Sequence, residues 1–490
     1  MSLFYKKSIK ELLISASDES HGLKRTLSRS SLVMLGIGAI IGAGIFSITG
    51  TAAADHAGPA IVFSFVFAGI ACLFAGLCYA EMASMIPIAG SAYTYAYATI
   101  GEFFAWIIGW DLILEYLFSA SAVAASWSGY AQNILMDMGI EVPFALSQAP
   151  FTFNEQDGWA SSGALMNLPA MLILGVLTVI LVIGIKESAR FNNVLVIVKV
   201  FVIIAFIVLG FSFIDFDNWK PFVPENTGVS GEFGWSGVMK ASALIFFAYI
   251  GFDSVSTASQ EAKNPQKDMA MGILGSLAIC TVLYILFSLV LTGVTHYSTF
   301  SQANPLARQA PVAYAVDQMG DSMYFLKVMI KFGAMAGLTS ATLLMLLGQP
   351  RIFYSMSKDG LLPPIFGSIH SKFKTPMFST VLTGSVAILV VGIVPKDVLE
   401  SLVSIGTLFA FIIVCAGVMY LRYTNPNENR PFKVPYVYVV GTLGIFTCLA
   451  QMLSLGFSIW MRLFMWLALG LVIYFVYGKA SAARNRENIK

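Results

Sequence analysis

Gly36-Ile37-Gly38-Ala39-Ile40-Ile41-Gly42-Ala43-Gly44-Ile45-Phe46 is the stretch that decides how this chain is read. It sits in the first apolar segment, which is long enough to span a bilayer and is interrupted by glycine near its middle. A second stretch, Phe246-Phe247-Ala248-Tyr249-Ile250-Gly251-Phe252-Asp253, lies in an apolar segment of the second half and adds a carboxylate to the interruption. Glycine-interrupted spans at matching positions of two halves are the best sequence pointer to a transporter's substrate site.

The setting agrees. The 490-residue chain is 57% hydrophobic and 11% charged, whereas soluble domains average about 25% charged. This composition specifies an all-α polytopic membrane protein. The net charge of +2 gives no basic face for nucleic acid. The five cysteines (Cys72, Cys78, Cys280, Cys415, Cys448) all lie in apolar spans and lack metal-ligand or disulfide spacing, so they read as small buried hydrophobes. No His cluster suggests a metal, and no cofactor motif is present. Residues 1–30 are polar and basic, and the first apolar stretch reads as a retained span, not a cleaved leader.

About twelve stretches reach the roughly 20 residues needed to cross: 31–54, 59–84, 102–130, 168–186, 190–213, 236–259, 270–295, 322–350, 376–394, 399–422, 436–457 and 460–478. Basic residues set their orientation. Lys6, Lys7, Lys10, Lys24, Arg25 and Arg29 precede span 1, and connections on that same side carry Lys186, Arg190, Lys263, Lys267, Arg351, Lys358, Lys372 and Lys374. The opposite connections hold only Lys220, Arg308 and Lys396. Both termini are therefore expected in the cytoplasm, with the acidic segment around Asp137, Glu141, Glu155 and Asp157 outside.

Gly42 then lies about 16 Å in from the inner end of span 1, and Ala248 about 16 Å in from the outer end of span 6. Half the hydrocarbon thickness is about 15 Å, so both breaks are expected near the midplane, approached from opposite sides. Spans 1–5 (31–213) and 6–10 (236–422) form an expected inverted repeat, with 436–478 appended and 479–490 as a cytoplasmic tail.

An unwound backbone at that depth exposes amides and carbonyls that lipid cannot satisfy. Gly42 and Gly44 let a ligand approach the main chain. The helix restarting after Ala43, through Gly44 and Ile45, offers free N–H groups to an anion. Carbonyls at Ile40, Ile41, Phe247, Ala248 and Ile250 suit an ammonium. The pair fits the backbone of an α-amino acid. The bland alternative is that these glycines only allow close helix packing.

Several ionisable residues fall inside spans. Lys199, about 14 Å deep in span 5, reads either as a tethered or titrating amine that replaces a coupling sodium ion and bridges span 5 to the unwound part of span 1, or as a structural cap on loose carbonyls. Glu115 shares a helix face with Asp111 and Ser119. It reads equally as a relay for a proton or cationic side chain and as a hydrogen-bonding group between helices. Asp253 is expected to cap the helix restarting after the second break. Phe246, Phe247 and Phe252 read as a gate or as lipid-facing packing. Lys327 and Lys331 are placed at an outer vestibule, and Ser119, Gly337, Leu338 and Ser404 are candidate pocket residues.

The same residues carry a family resemblance. Gly42-Ala43-Gly44-Ile45-Phe46, Ala57-Gly58-Pro59-Ala60, Ala75-Gly76-Leu77-Cys78-Tyr79-Ala80-Glu81, Gly90-Ser91-Ala92-Tyr93, Gly251-Phe252-Asp253, Glu261-Ala262-Lys263-Asn264-Pro265-Gln266-Lys267 and Lys358-Asp359-Gly360-Leu361-Leu362 together resemble the bacterial cationic amino acid transporter branch of the amino acid–polyamine–organocation superfamily. The resemblance implies a LeuT-type fold of two five-helix inverted repeats with two additional C-terminal helices, and alternating access. It implies that the Ala43 and Gly44 amides hold a substrate carboxylate and that carbonyls of Ile40, Phe247, Ala248 and Ile250 hold its amino group. It places Lys199 where proton-coupled relatives carry a lysine in place of a second sodium site. The expected function is proton-coupled uptake of neutral or cationic amino acids at the plasma membrane. The alternatives are amino acid exchange, or transport of a polyamine or nucleoside-derived metabolite on the same frame. A sensor without a soluble domain and a membrane enzyme without a nucleophile–base pair fit less well. The sequence identifies no accessory subunit.

Overall fold

The structure, a computed structural model, describes residues 5–7, 27–88, 91–154, 158–183, 188–259, 262–301, 303–304, 307–308, 310–320 and 323–489. Lys10, Lys24, Arg25, Gly90, Glu155, Asp157, Lys186, Glu261 and the ends of spans 4 and 8 (184–186 and 322) fall outside the described residues.

The chain is helical because an apolar medium leaves backbone polar groups no partner but each other. Among the described residues nine helical runs are long and apolar enough to cross a membrane, accompanied by two shorter apolar helices, Leu168–Ile183 and Met377–Ile393. The first run, Arg29–Met85, has 57 residues, far beyond the roughly 20 of one crossing. It folds back at Gly58-Pro59. Its parts are α1 (Arg29–Ile40), helical turns over 44–57, and α2 (Ile61–Met85). Ser28 caps α1 by accepting from the Ser31 N–H at 3.3 Å.

The chain continues with α3 (Ser91–Thr99), α4 (Glu102–Ile113), α5 (Ser119–Asp137), α6 (Leu168–Ile183), α7 (Ser188–Gly210), α8 (Gly234–Ile245), α9 (Ser254–Thr257) and α10 (Pro265–Val294). Then come α11 (Pro311–Asp317), α12 (Tyr324–Lys358), α13 (Met377–Ile393), α14 (Lys396–Thr424), α15 (Val437–Ser454), α16 (Phe457–Ile473) and α17 (Lys479–Ile489). A hairpin of β1 (Phe151–Asn154) and β2 (Gly158–Ser161), with Thr152 opposite Ala160, covers one end. Arg462 lies over its Phe153 ring at 4.1 Å.

The segment expected over 236–259 runs from Gly234 to Thr257 and is broken after Ile245, as its glycine interruption predicted. Other boundaries differ from the sequence expectation. The helix expected to end at 350 runs through Pro350 to Lys358. Helix α14 begins at Lys396, ahead of the expected 399. Helix α3, with buried Tyr93, Tyr95 and Tyr97, occupies what read as a connection.

Helix α10 packs on α1 and α2, α8 on α2, α12 on α5 and α7, and α14 on α15. The two interrupted segments lie at the centre of this assembly, completely or almost completely buried. Apolar side chains turn outward on the peripheral helices, among them Leu172, Val176 and Val179 of α6 and Met465 and Val472 of α16. Soluble monomers rarely expose such contiguous apolar surface; here it is the lipid face.

Candidate functional site

The two glycine-interrupted segments meet. Helix α1 ends at Ile40, Ile41 is extended (φ −73°, ψ 100°), and helical turns resume from Gly44. Helix α8 gives way to a tight turn over Phe246–Tyr249, and Gly251 sits at φ +115°, which side chains disfavour. A β-carbon on Gly44 would lie 2.2 Å from the Ala248 Cβ, and one on Gly251 would lie 2.8 Å from the Ala39 carbonyl carbon. The breaks therefore cross main chain against main chain, and glycine is required there on packing grounds.

The released carbonyls have protein partners. Lys199 of α7 is fully buried and donates to the Gly38 carbonyl at 2.5 Å and the Ile41 carbonyl at 2.8 Å. The Tyr284 hydroxyl of α10 lies 3.0 Å from the Ile40 oxygen and 2.9 Å from the Ala248 oxygen, sharing one proton between the two breaks. Four of the five carbonyls expected to suit an ammonium, those of Ile40, Ile41, Phe247 and Ala248, already have a protein donor. Those of Ile40 and Ala248 are tied together by a phenol, and that of Phe247 accepts from the Ile250 N–H at 3.3 Å. A carbonyl has a second lone pair, so each can still accept an ammonium.

A narrow cavity of about 10 Å³ lies beside the crossing, lined by Gly42, Ala43, Gly44, Ser119, Phe247 and Ile250, together with Val123, Ala341 and Met345. It holds at most about one water, so an amino acid enters only when the helices separate. Of the expected pocket residues Ser119 lines it. Gly337 instead faces Phe46 and Lys199, where an added Cβ would lie 3.2 and 3.3 Å away. Leu338 and Ser404 are buried outside the lining. Ala341, Met345 and Val123 were missed, because only interhelical register tells which face of α12 and α5 turns inward.

An acidic group borders this cavity. Glu115 lies in a widened turn, Leu114–Phe118, between α4 and α5. Glu115, Asp111 and Ser119 are each 1% exposed. Both Glu115 oxygens, Asp111 Oδ1, Ser119 Oγ and Asp253 Oδ1 lack hydrogen-bond partners, although the Glu115 and Asp253 carboxyls are neighbours. Asp253 stands at the N-cap of α9 but makes no capping hydrogen bond. This corrects the sequence expectation. Its Oδ2 accepts from Ser91 and Tyr116, both at 3.2 Å, so it ties α3 and the widened turn to the break.

Phe246 and Phe252 are fully buried and pack on Phe411 with ring centroids 5.5 and 5.0 Å apart. The lipid-facing alternative is excluded for both, and Phe247 is the aromatic residue on the cavity wall.

Two larger pockets, of about 360 and 470 Å³, share Thr51, Phe153, Arg308 and Asp397 and lie under the β-hairpin. Arg308 bonds Asp55 at 2.8 Å, and Lys396 bonds Ser47. Lys331 is buried against Asp137 at 2.5 Å, and Lys327 pairs with Asp317 at 2.9 Å, so neither lysine lines these pockets. At the opposite end Asp359 accepts from Lys7 and from the Tyr93 hydroxyl. Glu102 there takes Tyr97, Tyr474 and Arg486. Those contacts draw the N-terminal segment, α3, α12 and α17 together.

Residues 27–476 match the family profile described as amino acid permease. The chain is 44% identical over 485 residues to the methylthioribose transporter of Bacillus subtilis (strain 168), covering 99% of this chain and 100% of that one. It is also 44% identical over 485 residues to the branched-chain amino acid permease BcaP of the same organism, 99% of each. The vacuolar cationic amino acid transporter 2 of Arabidopsis thaliana is 39% identical over 426 residues, 85% of this chain and 63% of the plant protein.

Proposed function

We propose that this chain, which belongs to the amino acid permease family, takes an α-amino acid across the plasma membrane at the crossing of its two broken helices. Family membership makes it a multi-pass amino acid transporter and not an enzyme. The observation that carries the choice of site is the contact of Gly44 with Ala248 beside a cavity lined by both breaks. The amides of Ala43 and Gly44 are suited to a carboxylate, and the carbonyl edge of Phe247, Ala248 and Ile250 to an ammonium.

The finer architecture follows from the same reading. Twelve crossings form two five-helix inverted repeats, 31–213 and 236–422, with 436–478 appended and both termini cytoplasmic. The hairpin-covered pockets then open outward, and the Asp359 and Glu102 clusters close the inner end.

Coupling to protons is assigned to Lys199 and to the Glu115–Asp253 pair. The Lys199 ammonium holds the end of α1 through charge-assisted hydrogen bonds to two carbonyls. Loss of a proton weakens that hold and loosens the break, so protonation and opening are linked. Two adjacent carboxyls accept between them a proton or a cationic group. Uptake of radiolabelled amino acid into proteoliposomes should rise with an inward proton gradient. Indifference to the gradient, with stimulation by internal amino acid, would establish an exchanger instead.

A second reading has a specific observation behind it, the equal identity to a methylthioribose transporter. A neutral thiosugar offers neither carboxylate nor ammonium to the breaks, so a ligand series separates the two readings.

A further inference from the structure

Glu400 is a buried carboxyl that the proposed site does not use. It lies one turn inside α14, is 6% exposed, and borders the outer pocket of about 360 Å³. Its Oε1 makes no hydrogen bond; the Lys396 ammonium stands 3.7 Å away. Ser404 and Thr407 follow at i+4 and i+7, on the same helix face. Both are fully buried, and neither hydroxyl has a hydrogen-bond partner. Serine and threonine inside a helix usually bond back to the preceding turn, and these two do not. Thr407 stands beside the Glu115 carboxyl, off hydrogen-bond geometry. Helix α14 packs against the widened turn that carries Glu115.

Unpartnered buried polar groups are rare and each calls for an explanation. Here they form a file from the outer pocket to Glu115, about 10 Å long at 1.5 Å per residue. A short chain of water bonded to these hydroxyls satisfies every one of them.

We propose that the Glu400–Ser404–Thr407 face of α14 is the proton entry path, delivering protons from the outer solution to Glu115. Glu400 takes a proton from water in the pocket and passes it to water held by Ser404 and Thr407. That water chain protonates the Glu115 carboxylate and leaves Glu400 ionised again; no electron moves. The titratable and charged groups that share the pocket with Glu400 or stand beside it are Lys396 and Asp397 on its own helix, Arg308 after α10, Asp55 and His56 from the first run, Glu232 ahead of α8, Lys240 of α8 and Arg462 of α16. The path rests on the proton-coupled reading above.

The test compares two modes of transport in proteoliposomes. In E400Q, accumulation driven by an inward proton gradient should fall at least tenfold. Exchange of external for internal labelled substrate, which needs no net proton movement, should stay within twofold, and E400D should restore accumulation. Wild-type accumulation in E400Q overturns the path while leaving proton coupling intact. Equal loss of accumulation and exchange assigns Glu400 to substrate binding or folding and also overturns it. A wild-type protein indifferent to the gradient overturns both coupling and path. Independently, Ser404→Cys in a variant without the five buried native cysteines should react with a small cationic methanethiosulfonate added outside. An unreactive Ser404→Cys, with Ser126→Cys at the wall of the neighbouring pocket of about 470 Å³ reactive, would also overturn the path.

Discussion

Gly44 and Ala248 touch so closely that a single added carbon on Gly44 would lie 2.2 Å from the Ala248 Cβ. The two interrupted segments thus meet main chain to main chain, each where its α-helix is broken. Gly44→Ala should push the breaks apart. Overpacking of this kind costs about 1–3 kcal/mol of stability. Substrate affinity should fall at least tenfold, about 1.4 kcal/mol, measured as the loss of ligand-induced thermal stabilisation in detergent.

Tyr284→Phe removes the one hydroxyl that bridges the Ile40 and Ala248 carbonyls. Leaving buried acceptors unsatisfied costs about 1–3 kcal/mol. The thermal unfolding midpoint should drop, and uptake should fall with it while the protein stays monodisperse. Unchanged stability and uptake would show that the bridge is idle.

Lys199→Ala strips both donors from the end of α1. The expected result is a folded protein that no longer accumulates amino acid against a gradient. Gradient-driven uptake at wild-type level in this variant would remove the mechanism assigned to the lysine.

Asp359→Asn weakens the clasp to Lys7 and Tyr93 at the end assigned above to the cytoplasm. It should raise the reactivity of a cysteine at Ala43 toward a reagent supplied from the inside by several-fold, read as a labelling rate. The same substitution should leave labelling from the outside unchanged or reduced.

The two breaks were legible in the sequence, because glycine interrupts two apolar runs at matching depth in the two halves of the chain. The breaks at Gly42–Gly44 and Gly251 and the reach of Lys199 toward the first break followed from depth and residue type. The partners did not. Tyr284 is one of many tyrosines in an apolar span, and nothing local marks its hydroxyl as the bridge. Asp253 read as a cap because its neighbours in sequence are helical, but Ser91 and Tyr116 approach it from far away in the chain. Gly337 and Leu338 lie on α12, which reaches the cavity through Ala341 and Met345, but off its lining, and Ser404 lies on α14, which contributes no lining residue. Turning a helix by one residue moves a side chain by about 100°, which apolar periodicity cannot resolve in a helix buried on most sides.

The central claim is that the crossing binds a molecule by a carboxylate and an ammonium together. Its most direct test is thermal stabilisation of the purified protein by a graded series: branched-chain and cationic L-amino acids, the same compounds without the amino group or with the carboxyl esterified, polyamines, and methylthioribose. Stabilisation by one or more intact amino acids is expected, with its loss on removal of either group. Stabilisation by methylthioribose or a polyamine, with no response to any amino acid, would contradict it.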